Sequence, residues 1–147
     1  MELRGITPIL NVSDVGASLD WFERLGWKRC WTYNDSGMIP GALGSNASGP
    51  ANFAAVGSGC CEIFLCRNAQ GSRGPLPRAL GDESCGGVWL SWWVESPAEV
   101  DRVHARAVEL GVLVNWPPTD EPWGVRECQI VHPDGHVFRV SAGIRRQ

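Results

Sequence analysis

The stretch Ile9-Leu10-Asn11-Val12-Ser13-Asp14-Val15-Gly16-Ala17-Ser18-Leu19-Asp20-Trp21-Phe22-Glu23-Arg24-Leu25-Gly26 contains a short strand, a helix start and a helix stop in one run. Ile9 to Val12 is the strand. Ser13 or Asp14 supplies the N-cap, and Val15, Leu19, Phe22 and Leu25 recur at helical spacing. Gly26 is the left-handed stop. The pattern returns in the second half of the chain. Leu90-Ser91-Trp92-Trp93-Val94 is a strand, and Ser96-Pro97-Ala98-Glu99 reads as a capping box with proline at the first helical position. Val100, Val103, Ala107 and Leu110 form the apolar stripe, and Gly111 ends a helix roughly one turn longer than the first. A unit of this length occurring twice indicates a duplicated module, not a solenoid array.

Working outward, each helix is followed by β segments. Trp27 to Tyr33, Asn52 to Val56 and Glu62 to Cys66 follow the first helix. Val112 to Trp116, Val125 to Val131 and His136 to Val140 follow the second. The last two are joined through the turn residues Pro133-Asp134-Gly135. The stretch from Asp35 to Pro50, rich in glycine and without periodicity, reads as a mobile loop. Residues 68–87, rich in Gly, Pro and Ser, read as a linker. The plan is therefore α+β, with two tandem βαβββ modules at about 5–66 and 88–141 in a single domain over 1–147.

Composition limits the function classes. The net charge of −3 and the scattered basic residues leave no electrostatic footprint for nucleic acid or an anionic membrane. No window approaches the length of a membrane span, and the N-terminus has no signal-peptide pattern, so a cytoplasmic protein is expected. There the six cysteines (Cys30, Cys60, Cys61, Cys66, Cys85 and Cys128) should be reduced thiols. They contain no C-x-x-C pair, so neither a zinc knuckle nor a thioredoxin-type site is indicated. Of the histidines, His104 reads as a solvent-side helix residue. His132 and His136 read as the ends of a plain hairpin, with a surface metal pair as the minor alternative.

Two motifs carry a family resemblance. Asn11-Val12-Ser13-Asp14 with Ser18-Leu19-Asp20-Trp21-Phe22 and Leu25-Gly26-Trp27 resembles the first-helix signature of the glyoxalase/bleomycin resistance/dioxygenase superfamily. Glu121-Pro122-Trp123-Gly124-Val125-Arg126-Glu127 with His132-Pro133-Asp134-Gly135-His136 resembles its closing hairpin, in the form of the bleomycin-resistance-like branch. The resemblance implies two curved mixed sheets around a cleft, and a homodimer. It also implies a metal position in catalytic relatives, filled by His or Glu from the first and last strands of each module. Here those positions fall on Thr7, Phe64, Trp89 and Arg139. Phe, Trp and Arg cannot donate a lone pair to a divalent ion in this setting, and one Thr hydroxyl is a poor ligand. Register slips of two residues bring in Asn11, Ser91, Trp93, Cys66 or Glu62, and no slip collects three ligands. No metal and no cofactor is expected.

Eight tryptophans are present, and Trp89, Trp92 and Trp93 share one strand. Alternation turns Leu90, Trp92 and Val94 to the helix, and Trp89, Ser91 and Trp93 to the other face. With Phe64, Thr7, Asn11 and Trp123 they would line an aromatic pocket. Arg139 would be its charged anchor for a planar, anionic organic ligand or antibiotic. Two competing structural readings remain: the aromatics fill the cavity, or Arg139 is paired internally with Glu62 or Glu127. Functionally, a metal-free binding protein that sequesters a small molecule is set against a divergent lyase, isomerase or dioxygenase. A metal-independent catalyst using Arg139, Glu62 or a cysteine is the remaining form of that second class.

Overall fold

A computed structural model describes residues 2–34, 37–40, 50–74 and 87–144. The chain divides into two compact units, Met1–Gly71 and Ser72–Gln147.

The first unit begins with β1 (Ile9–Val12) and α1 (Val15–Arg24). Asp14 is the N-cap, its Oδ1 accepting from the Ala17 N–H at 2.9 Å. At the other end Gly26 takes φ +97°. The Gly26 N–H donates to the Glu23 carbonyl and the Trp27 N–H to the Phe22 carbonyl, the paired bonds of a Schellman stop. The rings of Trp27 and Phe22 meet across that stop at 5.5 Å. Then come β2 (Lys28–Asn34), β3 (Gly37–Pro40), β4 (Phe53–Ser58) and β5 (Cys61–Arg67), in the sheet order β1-β5-β4-β2-β3. Val15, Leu19 and Phe22 are buried with Leu10, Val12, Ala54, Val56, Ile63 and Leu65. Burying a side chain such as Phe22 fully contributes about 1.5–3 kcal/mol.

The second unit repeats the arrangement. Its elements are β6 (Trp89–Trp93), α2 (Pro97–Glu109), β7 (Leu113–Glu121), β8 (Val125–Val131) and β9 (Val137–Gly143), in the order β6-β9-β8-β7. In both units the first strand lies parallel to the last, β1 on β5 and β6 on β9, and the remaining pairs are antiparallel. Gly111 at φ +68° closes α2 with the same two bonds, Gly111 N–H to the Val108 carbonyl and Val112 N–H to the Ala107 carbonyl. α2 packs on β7, β8 and β9 over Ile130, Phe138, Val140 and the fully buried Cys128. Burial pushes the Cys128 thiol up to about 12.

Three local expectations need correction. The stretch read as a mobile loop contains β3, which pairs antiparallel with β2 from Trp31↔Pro40 to Asn34↔Gly37. Four residues are too few to show a period, and an edge strand tolerates Pro40. Residues 35, 36 and 41–49 lie outside the described residues, as do 75–86 of the expected linker. Secondly, β7 continues past Trp116 through Pro117-Pro118 to Glu121. It too is an edge strand, and its pairing with β8 is irregular on both sides of Trp116. Lastly, Ser96 takes the N-cap position of α2 but its side chain makes no cap bond, and the Glu99 carboxylate pairs with Arg102.

Entry into β6 depends on a close backbone approach. Gly87 has φ +127°, and a Cβ there would stand 2.5 Å from the Gly135 carbonyl oxygen. Its neighbour Val88 donates its N–H to Nδ1 of His136 at 3.2 Å. Gly87→Ala should therefore lower the unfolding free energy by about 2 kcal/mol or more, from the unfavourable φ alone plus the displaced hairpin. Urea unfolding of the variant against wild type checks this.

Candidate functional site

Alternation along β6 sends Leu90 and Trp92 inward, where Trp92 meets Phe138 at 4.6 Å between ring centroids. Trp89 and Trp93 stand on the opposite face, 57% and 67% exposed, with Ser91 exposed between them. Register places Ser91 beside Arg139 of β9, which is opposite Gln129 of β8, which is opposite Trp116 of β7. On this face, away from α2, lies a groove of about 680 Å³. Trp89, Trp116 and Trp123 line it with Glu121, Glu127, Arg139, Pro117 and Thr119.

Charge in the groove is arranged internally. Arg139 Nη2 donates to both oxygens of Glu127, at 2.5 and 2.6 Å. The Ser141 hydroxyl donates to Oε2 of the same carboxylate at 3.2 Å. Glu127 is 2% exposed and the Arg139 side chain 30%. The expected anchor for an anion thus already has its counter-charge, supplied by one of the two carboxylates considered from sequence. Among the described residues, two N–H groups of the groove lining are buried without an acceptor, Nε of Arg139 and Nε1 of Trp116. Between them in the register, Gln129 accepts from Asn115 through Oε1, while its Nε2 is likewise buried without an acceptor among the described residues.

Some of the expected site residues line this groove of the second unit, and others belong to the first unit. Trp89, Trp123 and Arg139 line the same groove. Ser91 and Trp93 share its face of the sheet without lining it. Phe64, Thr7 and Asn11 belong to the first unit. Phe64 is half-buried and packs edge-on against Trp31 and Phe53, centroids at 5.2 and 5.3 Å. Thr7 is exposed ahead of β1, and Asn11 donates to the Gly71 carbonyl at 2.8 Å. Trp116 was missed because the sequence reading stopped its strand there. An aromatic in phase with Gln129 across the ladder was the available signal.

A model of the Glyoxalase/Bleomycin resistance protein/Dioxygenase superfamily matches residues 5–140. The chain belongs to this superfamily. Solved structures of several proteins have the same fold at low identity. A glyoxalase/bleomycin resistance protein/dioxygenase from Nocardioides is 18% identical, with a TM-score of 0.63 over 100% of this chain and 88% of its own. TioX from Micromonospora sp. ML1 is 20% identical, with a TM-score of 0.64 over 97% and 98%. A bleomycin resistance determinant encoded on the transposon Tn5 is 15% identical, with a TM-score of 0.60 over 96% and 98%. A search of curated protein sequences finds no match.

The four residues expected at the superfamily's metal positions do not suit an ion. Phe64 is packed in an aromatic cluster, Trp89 offers an indole, Arg139 is a cation held by Glu127, and Thr7 is one hydroxyl. Among the described residues no three His, Cys, Asp or Glu side chains come together in a way that could hold a metal. His104 is half-buried on α2. His132 and His136 are not surface residues: they are 1% and 0% exposed at the root of the β8–β9 hairpin, their rings 5.7 Å apart. His132 Nδ1 accepts from the Asp134 N–H at 3.0 Å, which closes the turn. Burial, reinforced by His136 and opposed by Asp134, pushes His132 down to about 4.

Two outcomes follow from these environments. Arg139→Leu strands the Glu127 carboxylate with Ser141 as its remaining donor, and should cost about 3 kcal/mol of stability. That is the low end for a broken buried pair, because the guanidinium is partly exposed. The double variant Arg139→Leu/Glu127→Leu should recover most of the loss in urea unfolding. His132 is neutral when folded and gains a proton more readily when unfolded. Its contribution is therefore present above pH 6.5 and is lost as pH falls towards about 4. The loss amounts to about 3 kcal/mol across that window. His132→Asn, which keeps an acceptor for the turn, should flatten the stability profile between those two pH values.

Proposed function

We propose that this superfamily member is a metal-free small-molecule binding protein that sequesters a planar organic ligand, an antibiotic or a metabolite, in the groove of its second module. One observation supports this reading above the others. Trp89, Trp116 and Trp123 line a groove with Arg139, and two N–H donors of these lining residues, Arg139 Nε and Trp116 Nε1, are buried without an acceptor among the described residues. A buried donor without an acceptor loses about 1–3 kcal/mol, which a ligand oxygen or a water placed there would offset. The superfamily's drug-resistance members make sequestration the natural form of such binding, and a homodimer remains part of the proposal.

The charge pattern changes the ligand expected from sequence. Glu121 and Glu127 against Arg139 leave the groove with an excess of negative charge, so an anionic ring is disfavoured. The fitting molecule is a flat, uncharged or cationic ring system carrying a carbonyl or ether oxygen. Its ring stacks on indole, and its oxygen takes up the two donors once the side chains covering them shift to admit it. Tryptophan-fluorescence titration with planar carbonyl compounds, aromatic amines and aromatic acids tests this. Quenching by the first two classes is expected. Trp116→Phe should weaken binding by about 1 kcal/mol through the lost N–H, and Trp89→Ala by about 1–2 kcal/mol through lost stacking and area. No response up to about 1 mM, where binding is worth only about −4 kcal/mol, would overturn the proposal.

A further inference from the structure

A regular antiparallel ladder sets one residue opposite one, and neighbours along a strand face opposite ways. β7 departs from this at Asn115. Val114 stands opposite Ile130 and Trp116 opposite Gln129, so Asn115 is the extra residue of a β-bulge and shares Gln129 with Trp116. The bulge lets two residues adjacent in sequence serve the same side of the sheet. Trp116 lines the groove, and the Asn115 amide nitrogen donates to Oε1 of Gln129. Gln129 is fully buried and Asn115 half-buried.

A primary amide has one shape and two polarities, an oxygen that accepts and a nitrogen that donates. The bond from Asn115 takes the oxygen end of Gln129 and so assigns the nitrogen end to the other side. Nε2 there has no acceptor among the described residues. In the register Gln129 stands between Trp116 of β7 and Arg139 of β9, and Trp116 Nε1 and Arg139 Nε are in the same state. Three neighbouring strands, about 4.8 Å apart, therefore contribute one buried donor group each. The carboxylate of this face, Glu127, is already taken by Arg139 Nη2 and the Ser141 hydroxyl. A row of donors fits a ligand edge that carries acceptors alone. A ligand N–H turned to the same row would set donor against donor, and specificity is made by such repulsion as much as by contact.

We propose that Gln129 is the specificity-determining residue of the groove, with Asn115 as its positioning residue. Together they select flat rings whose edge presents carbonyl or ether oxygens and no N–H or O–H. The inference rests on the groove being the ligand site. Gln129 is not itself part of the groove lining, so a ligand edge reaches it as the flanking Trp116 and Arg139 side chains turn aside.

The test is calorimetric titration of the full chain with two uncharged bicyclic probes of similar size: chromone, whose oxygens only accept, and indole, whose N–H only donates. Wild type should bind chromone on the order of tenfold more tightly than indole. Asn115→Asp supplies a carboxylate, which only accepts, so Gln129 must turn Nε2 to it and Oε1 to the row. The order of the two probes should then reverse. Gln129→Glu keeps the bond from Asn115 through one oxygen and offers the other to the row, so it should reverse the order too. Gln129→Met, similar in length and without a donor, should bring the two affinities close together. Thermal melts check that each variant is folded, and should a carboxylate variant not fold, the ratio in Gln129→Met decides. A damaged site weakens both probes alike, whereas a changed polarity exchanges their order. If wild type binds the probes equally or prefers indole, or if the variants keep the wild-type ratio, this inference is overturned while the groove stands as a ligand site. Binding of neither probe by wild type up to about 1 mM overturns the groove reading and this inference with it.

Discussion

Each sheet must bury one face under its own helix, and everything at the site follows from that demand. Once Leu90, Trp92, Phe138 and Val140 are committed to the α2 side, period-2 alternation leaves Trp89, Ser91 and Arg139 no face but the opposite one. A slip of one residue between β6 and β9 would put a guanidinium into the core and expose two large aromatic rings. The parallel insertion of the first strand beside the last gives both units the same order, and it makes β6 an edge strand. Edge position is what leaves Trp89 and Trp93 uncovered among the described residues.

The polar side of the second sheet is governed by the Arg139–Glu127 pair. A carboxylate 2% exposed on a sheet face would be untenable alone, and a guanidinium beside it supplies two short charged bonds while Ser141 supplies a third. The pair consumes the charge of Arg139 but only one edge of its donor fork. That leaves the groove lined by stacking surfaces and N–H donors with little unbalanced positive charge.

The duplicated modules have diverged in different ways. In the first, Trp31, Phe53 and Phe64 pack against one another, whereas in the second the equivalent face is a groove floored by polar groups.

Local signals in the chain were sufficient for the repeat, both helices with their glycine stops, and the facing of β6. All of these depend on interactions within a few residues: a capping carboxylate, a Schellman turn, a period of two or 3.6. Tertiary structure alone decided the rest. β3 and the continuation of β7 through Pro117-Pro118 depend on a neighbouring strand accepting an irregular edge, which no local pattern announces. Whether Arg139 faced a ligand or Glu127 depended on the register of β8 against β9, since residues 12 apart in sequence become neighbours only across that ladder. Phe64 and Trp89 looked alike as aromatic site residues in the sequence. One is half-buried against two other rings and the other is an exposed groove wall, because burial is a property of what surrounds a side chain, and only the folded chain determines that.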